Sequence, residues 1–245
     1  MDQDDLPVGR VLGRREAVGA LGASGLALLG DRWLPGWHQF APARRAPGCV
    51  VRPEQMEGPY FVDGMLDRSD IRADPATGEV KPGTPLMLTL AVSTLRGNAC
   101  APLAGAHVDI WHCDGLGVYS GVKDPHFDTT GHHYLRGWQR TDRNGEARFR
   151  TIYPGWYPGR SVHIHFKVRT DPDADRGKVF TSQLYFDDAL TTRVHRAPPY
   201  SSKDGRRAMN ADDEIYADGG DQLMLAPERS EGGWAARFDV ALQAG

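Results

Sequence analysis

His163 and His165 stand one residue apart in the stretch Ser161-Val162-His163-Ile164-His165-Phe166. The alternation of polar and apolar residues that continues to Arg169 has the period of a β-strand. Residues two apart on a strand face the same way, so both imidazoles point to one side and Ile164 to the other. Two imidazoles in that relation suit adjacent positions on one metal ion. Taken alone, such a pair is more often two half-buried polar side chains beside a cleft. Its company argues for the metal: Tyr157 and Arg160 lie in the turn just upstream, and the further donors nearby are tyrosines rather than cysteines or a dense set of carboxylates. A phenol titrates near pH ~10 in water, and only a strongly Lewis-acidic cation holds it as phenolate at neutral pH. The residue types therefore predict ferric iron.

The elements that must position these residues read as strands. Alternating runs occur at 86–92, 107–113, 135–141, 147–152, 163–169, 182–186, 223–225 and 236–242, separated by turn residues. Such spacing predicts an all-β, antiparallel β-sandwich. Asp142-Arg143-Asn144-Gly145 reads as a hairpin turn between two of the runs. Between Cys113 and Leu135 the chain is rich in Gly, His and Asp and reads as a long loop of the kind that carries function. The 245 residues carry a formal net charge of −3 with acids and bases well mixed, which excludes the basic, aromatic-interleaved surface of a nucleic-acid binder. No internal repeat or heptad pattern is present.

Near the N-terminus, Arg14-Arg15 precede a mild apolar run from Ala17 to Gly30, too short for a bilayer span of about 20 residues. The pattern predicts a twin-arginine export signal and linker over residues 1–48, recognised by the twin-arginine machinery. The remainder, 49–245, is then the folded domain, exported to the periplasm or beyond, or tethered to the membrane if the signal is not cleaved. Ala41-Pro42-Ala43 offers a cleavage site, although Asp2, Asp4 and Asp5 are atypical of such a leader. Three cysteines fit an oxidising compartment with one disulfide. The expected pair is Cys49 with Cys100, because Cys113 sits in a strand-like run beside the candidate metal. The bland alternative is three small buried hydrophobes.

One ordered set of motifs carries a resemblance. Pro102 to His112, Asp114-Gly115-Leu116-Gly117-Val118-Tyr119-Ser120, Arg148-Phe149-Arg150-Thr151-Ile152 and Tyr153 to Phe166 together resemble the intradiol ring-cleavage dioxygenases, such as catechol and protocatechuate 3,4-dioxygenases. Glu57-Gly58-Pro59-Tyr60 upstream and Ser182-Gln183-Leu184-Tyr185-Phe186 downstream extend it. The resemblance implies a prealbumin-like sandwich and a non-haem Fe(III) held by Tyr119, Tyr157, His163 and His165. It also implies Arg160 and Gln183 as active-site residues and Pro59 and Tyr60 as lining of the ring pocket, with Tyr157 the ligand that leaves. The implied reaction inserts both atoms of O2 into a catechol-type aromatic diol and yields a cis,cis-muconate-type diacid. The long helical N-terminal region through which the catechol-cleaving branch dimerises is not matched, so the oligomeric state is left open.

Other groups read as structural or solvated: His107 and His112 on opposite strand faces, the cluster of His126, Asp128, His132 and His133, and the runs Arg193-Val194-His195-Arg196 and Asp212-Asp213-Glu214. Two rivals remain. A secreted, noncatalytic β-sandwich binding module has no use for the two tyrosines, two histidines and arginine in that order. A zinc or ferrous His-x-His site needs a third histidine and a carboxylate.

Overall fold

The computed structural model describes residues 49–64, 66–170 and 177–243; the expected export segment, 1–48, lies outside them. Eleven strands follow in chain order: β1 Pro85–Arg96, β2 Ala99–Pro102, β3 His107–Trp111, β4 Lys123–Asp124, β5 Phe127–Asp128, β6 Arg136–Arg140, β7 Glu146–Ile152, β8 His163–Arg169, β9 Val179–Tyr185, β10 Glu228–Ser230 and β11 Gly233–Gln243. Two short helices, α1 Asp188–Val194 and α2 Glu214–Ala217, lie between β9 and β10.

The first sheet runs β10-β11-β1-β2, and β7 pairs with the other half of the β1 edge that β2 occupies. The second runs β6-β3-β8-β9. All pairings are antiparallel except β1 with β11, which is parallel from Leu86↔Trp234 to Leu95↔Gln243. The alternating residues fill the space between the layers. Leu86, Leu88, Leu90 and Val92 of β1 share one buried cluster with Phe149, with Phe238 and Val240, and with Val108, Ile110, Ile164, Phe166 and Val168 of the second sheet. Removing each such side chain from water contributes about 1.5–3 kcal/mol, which strongly fixes the register of β8. A one-residue slip would exchange Ile164 for the histidines.

Two expected elements take another form. The turn at Asp142 is present, with Asp142 accepting from Asn144 N and Glu146 N and Gly145 at φ 74°. It joins β6 to β7, which belong to different sheets, so it is a crossover between layers and no hairpin. The run at 223–225 is no strand: Leu223 ends a 3-10 turn, Gly220–Leu223, and Leu225 N donates to Tyr185 O at 2.8 Å. Leu223 and Leu225 are buried all the same, which explains the apolar run. The expected disulfide is formed between Cys49 and Cys100, and Cys113 is a free, buried thiol.

Candidate active site

The inner face of β8 is committed to the core, so His163 and His165 lie on the outer face of the second sheet, beneath the loops that cover it. Register places Trp111 and Gln183 directly across from His165 and Tyr185 across from His163. Trp111 stacks on the His165 ring with centroids 4.9 Å apart and planes 6° from parallel. A small second cluster of Trp111, Cys113 and Tyr119, packed by Tyr60, Phe61, Val122, Phe127 and Tyr157, roofs this face.

Two loops bring in the phenols. After β3, the Asp114 carboxylate accepts from Leu116 N and Val118 N, closing a tight turn that aims Tyr119 inward. After β7, the segment between Pro154 and Pro158 carries Tyr157. The two loops are fastened together: Gly155 N donates to Asp114 O at 3.1 Å, and Lys203 Nζ donates to Leu116 O and to Trp156 O at 2.5 and 2.8 Å. Gly117, at φ 84°, leaves room for this approach, since a Cβ there would stand 2.0 Å from Trp156 O.

Four donor atoms converge as a result. His163 Nε2 lies 3.4 Å from Tyr119 OH, 3.3 Å from Tyr157 OH and 3.0 Å from His165 Nε2. His163 Nδ1 is 2.7 Å from Ser161 O. A carbonyl only accepts, so Nδ1 carries the proton and Nε2 presents a single lone pair. Three polar atoms crowd that one lone pair, and His165 Nδ1 is buried with no partner. Protons alone satisfy this arrangement poorly. Donors held about 2 Å from a common cation at near right angles lie about 3 Å from one another, so a metal ion fits the set.

Burial shapes the titration of these groups. Desolvation, with the nearby Arg160 charge second, holds the His163 imidazolium down to about 3, and His165 also lies well below its ordinary value. Both rings are therefore neutral at physiological pH and able to act as ligands. Desolvation raises Tyr119 well above the ordinary phenol range and raises Tyr157 too, against the attraction of Arg160 for its anion. Without a cation both phenols stay protonated. Among the described residues no group of three His, Cys, Asp or Glu could hold a metal.

Arg160 and Gln183 also come together. Arg160 Nη2 donates to Gln183 Oε1 at 2.5 Å, and Gln183 Nε2 donates to Met56 O at 3.1 Å, which fixes the amide with its oxygen toward the arginine. Tyr185 OH stands 2.9 Å from Gln55 Oε1 and 3.2 Å from Gln183 Oε1. Of the expected pocket residues, Tyr60 stacks on Tyr119 at 4.4 Å and meets Tyr157 edge-on at 6.1 Å, with its hydroxyl on Asp124 Oδ2 at 2.8 Å. Pro59 precedes it and is exposed.

Several residues read as surface are not. Asp213 is buried, with no exposed side chain, and its carboxylate receives Arg160 Nε at 3.0 and 3.1 Å. It also caps α2, accepting from Ile215 N and Tyr216 N. An Asp followed by Glu-Ile-Tyr is a helix-start signal, and it was available in the sequence. His195 is half-buried, bonded to Pro154 O at 2.9 Å and stacked on Tyr200. His132, by contrast, keeps its ring partly exposed as expected, while pairing with the buried Asp74. His112 donates from Nδ1 to Cys113 O and accepts at Nε2 from Thr151 Oγ1 at 2.7 Å; with both nitrogens engaged it is structural, as is His107, stacked on Trp138 at 3.9 Å.

Comparison with known proteins agrees with this geometry. A family model described as "Dioxygenase" matches residues 56–243. The chain is 30% identical over 196 residues to catechol 1,2-dioxygenase 1 of Acinetobacter lwoffii, covering 68% of this chain and 58% of that protein. It is 29% identical over 199 residues to chlorocatechol 1,2-dioxygenase of Pseudomonas putida, covering 71% of each. Among solved structures, an intradiol ring-cleavage dioxygenase from Tetranychus urticae has the same fold with a TM-score of 0.69 at 29% identity, over 80% of this chain and 95% of that one. A buried two-tyrosine, two-histidine cluster on the outer face of a β-sandwich, in a chain matched along most of its length, places this protein in the intradiol ring-cleavage dioxygenase family.

Proposed function

We propose that the chain is a non-haem Fe(III) dioxygenase that takes a catechol-type aromatic diol and O2 and opens the ring between the two hydroxyl-bearing carbons, giving a cis,cis-muconate-type diacid. The observation that carries this reading is the convergence of Tyr119 OH, Tyr157 OH and His165 Nε2 on His163 Nε2 within 3.0–3.4 Å. When bound there, ferric iron would supply Lewis acidity toward the two oxygens of the diol and an electron sink for the reaction with O2.

The residues then have separate tasks. Tyr119 and Tyr157 hold the cation as phenolates and release their protons as it binds. Tyr157 is less buried than Tyr119, and its phenolate oxygen would be the one able to take up a proton from the incoming diol. His163 and His165 stay neutral, and the Ser161 carbonyl fixes the orientation of His163. Arg160 has its Nε on Asp213 and one Nη2 hydrogen on Gln183, and its remaining N–H groups would meet negative charge developing on the ring. A donor preorganised in this way gains strength where water is excluded. The Tyr60 ring forms one wall of the cleft, with Pro59 at its rim.

A visible spectrum of the iron-loaded protein, recorded before and after anaerobic addition of catechol or protocatechuate, tests the reading. A broad phenolate-to-iron band that moves to longer wavelength with diol, followed by O2 uptake and diacid formation on admitting air, is expected. A colourless protein with iron bound would return the choice to a noncatalytic binding module. The Arg14-Arg15 motif and the Cys49–Cys100 disulfide favour export by the twin-arginine route, to be checked by fractionating cells that express the wild-type and Arg14→Lys/Arg15→Lys chains.

A further inference from the structure

Arg160 is held at two edges, and the second holder reaches further than the arginine. Asp213 stands at the N-terminus of α2, far from the motifs that mark the site. Its Oδ2 accepts from Arg160 Nε at 3.0 Å, from Ser161 N at 2.9 Å and from Ser161 Oγ at 2.7 Å. Its Oδ1 accepts from Arg160 Nε at 3.1 Å, from Ile215 N at 2.9 Å and from Tyr216 N at 3.3 Å. The carboxylate is thus saturated. Burial by itself would raise its titration, yet the Ser161 hydrogen bonds and the Arg160 charge outweigh it and hold the group below the usual carboxylate range.

Ser161, tied to Asp213 by both its N–H and its hydroxyl, is the residue whose carbonyl accepts the His163 Nδ1 proton at 2.7 Å. One buried carboxylate therefore orders two members of the site, Arg160 directly and His163 through Ser161. The α2 segment is tied back again through Gln55, whose amide donates to Ile215 O and Asp218 O at 2.8 and 2.9 Å and whose oxygen meets Tyr185 OH. Asp213 holds the Nε edge of Arg160 and Gln183 accepts from Nη2, which fixes the plane of the guanidinium.

We propose that Asp213 is a positioning residue of the reaction, which through Arg160 and Ser161 sets the aim of the guanidinium and of the His163 ring. This rests on the reading of Arg160 as the cation that faces the diol. A fork clamped at Nε cannot rotate about its last torsions, so the geometry needed by the transition state exists before substrate arrives. An unclamped arginine beside a buried tyrosine would swing toward solvent and still bind diol through the metal. The loss should therefore appear in kcat rather than in KM.

The test compares iron-loaded wild type with Asp213→Asn, Ser161→Ala, Arg160→Gln and the Arg160→Gln/Asp213→Asn double variant. Steady-state turnover of catechol, the visible spectrum and Tm are measured for each. In the metal-free protein, solvent exchange of the Arg160 Nε proton is followed by NMR. Asp213→Asn should keep the phenolate band, lower kcat about 10- to 100-fold with KM little changed, and unprotect the Nε proton. Ser161→Ala, which removes a single hydrogen bond, should lower kcat in the same sense but less, and it decides the question if Asp213→Asn fails to fold. The double variant should be scarcely slower than Arg160→Gln, because both changes act through one group. Additive losses that track Tm, or Nε protection unchanged in Asp213→Asn, would overturn the proposal. Wild-type turnover in Arg160→Gln would sink the underlying reading of Arg160; the exchange measurement, which needs no turnover, separates that failure from failure of the clamp.

Discussion

Tyr119 and Tyr157 differ in burial, and the difference assigns them different fates. Tyr119 is 1% exposed and stacked under Tyr60, whereas Tyr157 sits partly open in a proline-bounded turn. Tyr157→Phe should leave a site that still binds iron through the three other donors but loses much of its visible absorption and most of its turnover. Titration with iron and a spectrum checks this, and unchanged absorption would rule Tyr157 out as a ligand. Strand period aligns His163 with His165 in the sequence, whereas Tyr119 enters the set only through the family resemblance, since it lies in a loop with no spacing relation to the pair. Asp213 was legible as a helix start, but its burial against Arg160 was not. Its neighbours Asp212 and Glu214 make a run of acids that resembles a solvated face, and only a contact to Arg160, brought from another segment by the fold, shows otherwise.

The loops carrying the two tyrosines behave as one element, because Lys203 and Gly155 join them at Leu116, Trp156 and Asp114. Gly117→Ala puts a Cβ 2.0 Å from the Trp156 carbonyl oxygen at a φ of 84°, and although the Lys203 ammonium could swing aside, the Trp156 backbone cannot. A loss of at least about 1–3 kcal/mol in stability is expected, with the phenolate band weakened in proportion, because Tyr119 moves with the turn. Differential scanning calorimetry and a visible spectrum on the same sample check it; a normal band with lowered Tm would separate the loop from the site. Strands were the readable elements: the run at 163–169 coincides with β8, where alternation reports one buried face directly. The apolar run at 223–225 could not be told from a strand by period, since three residues complete no pattern. The crossover at Asp142 looked like a hairpin because its turn chemistry is local while the choice of pairing partner is not.

At the scale of the whole molecule, buried neutral histidines make the metal-free protein sensitive to acid. Burial lowers His112 and His195 from 6.5 to about 4. The unfolded chain therefore binds protons between those values that the folded one refuses. Stability is fully present above pH 6.5 and falls as pH drops toward about 4. Urea midpoints measured from pH 7.5 to 4 should decline over that interval, and less steeply in His195→Gln. Cys49–Cys100, with a separation of 51 residues, tethers the segment that runs through Gln55 to Met56, the partner of Gln183. Replacing both cysteines by alanine should cost about 4 kcal/mol, measured by denaturant unfolding; an unchanged midpoint would mean that the tether adds nothing to the folded state. The parallel pairing of β1 with β11 sets the order in time. A strand near the start of the fold waits for one far along the chain, and closing so long a loop is slow. The inner layer behind His163 and His165 is unsealed until then. A metal held by these four donors would then be captured late in folding, and the site would mature as a final step instead of serving as a nucleus.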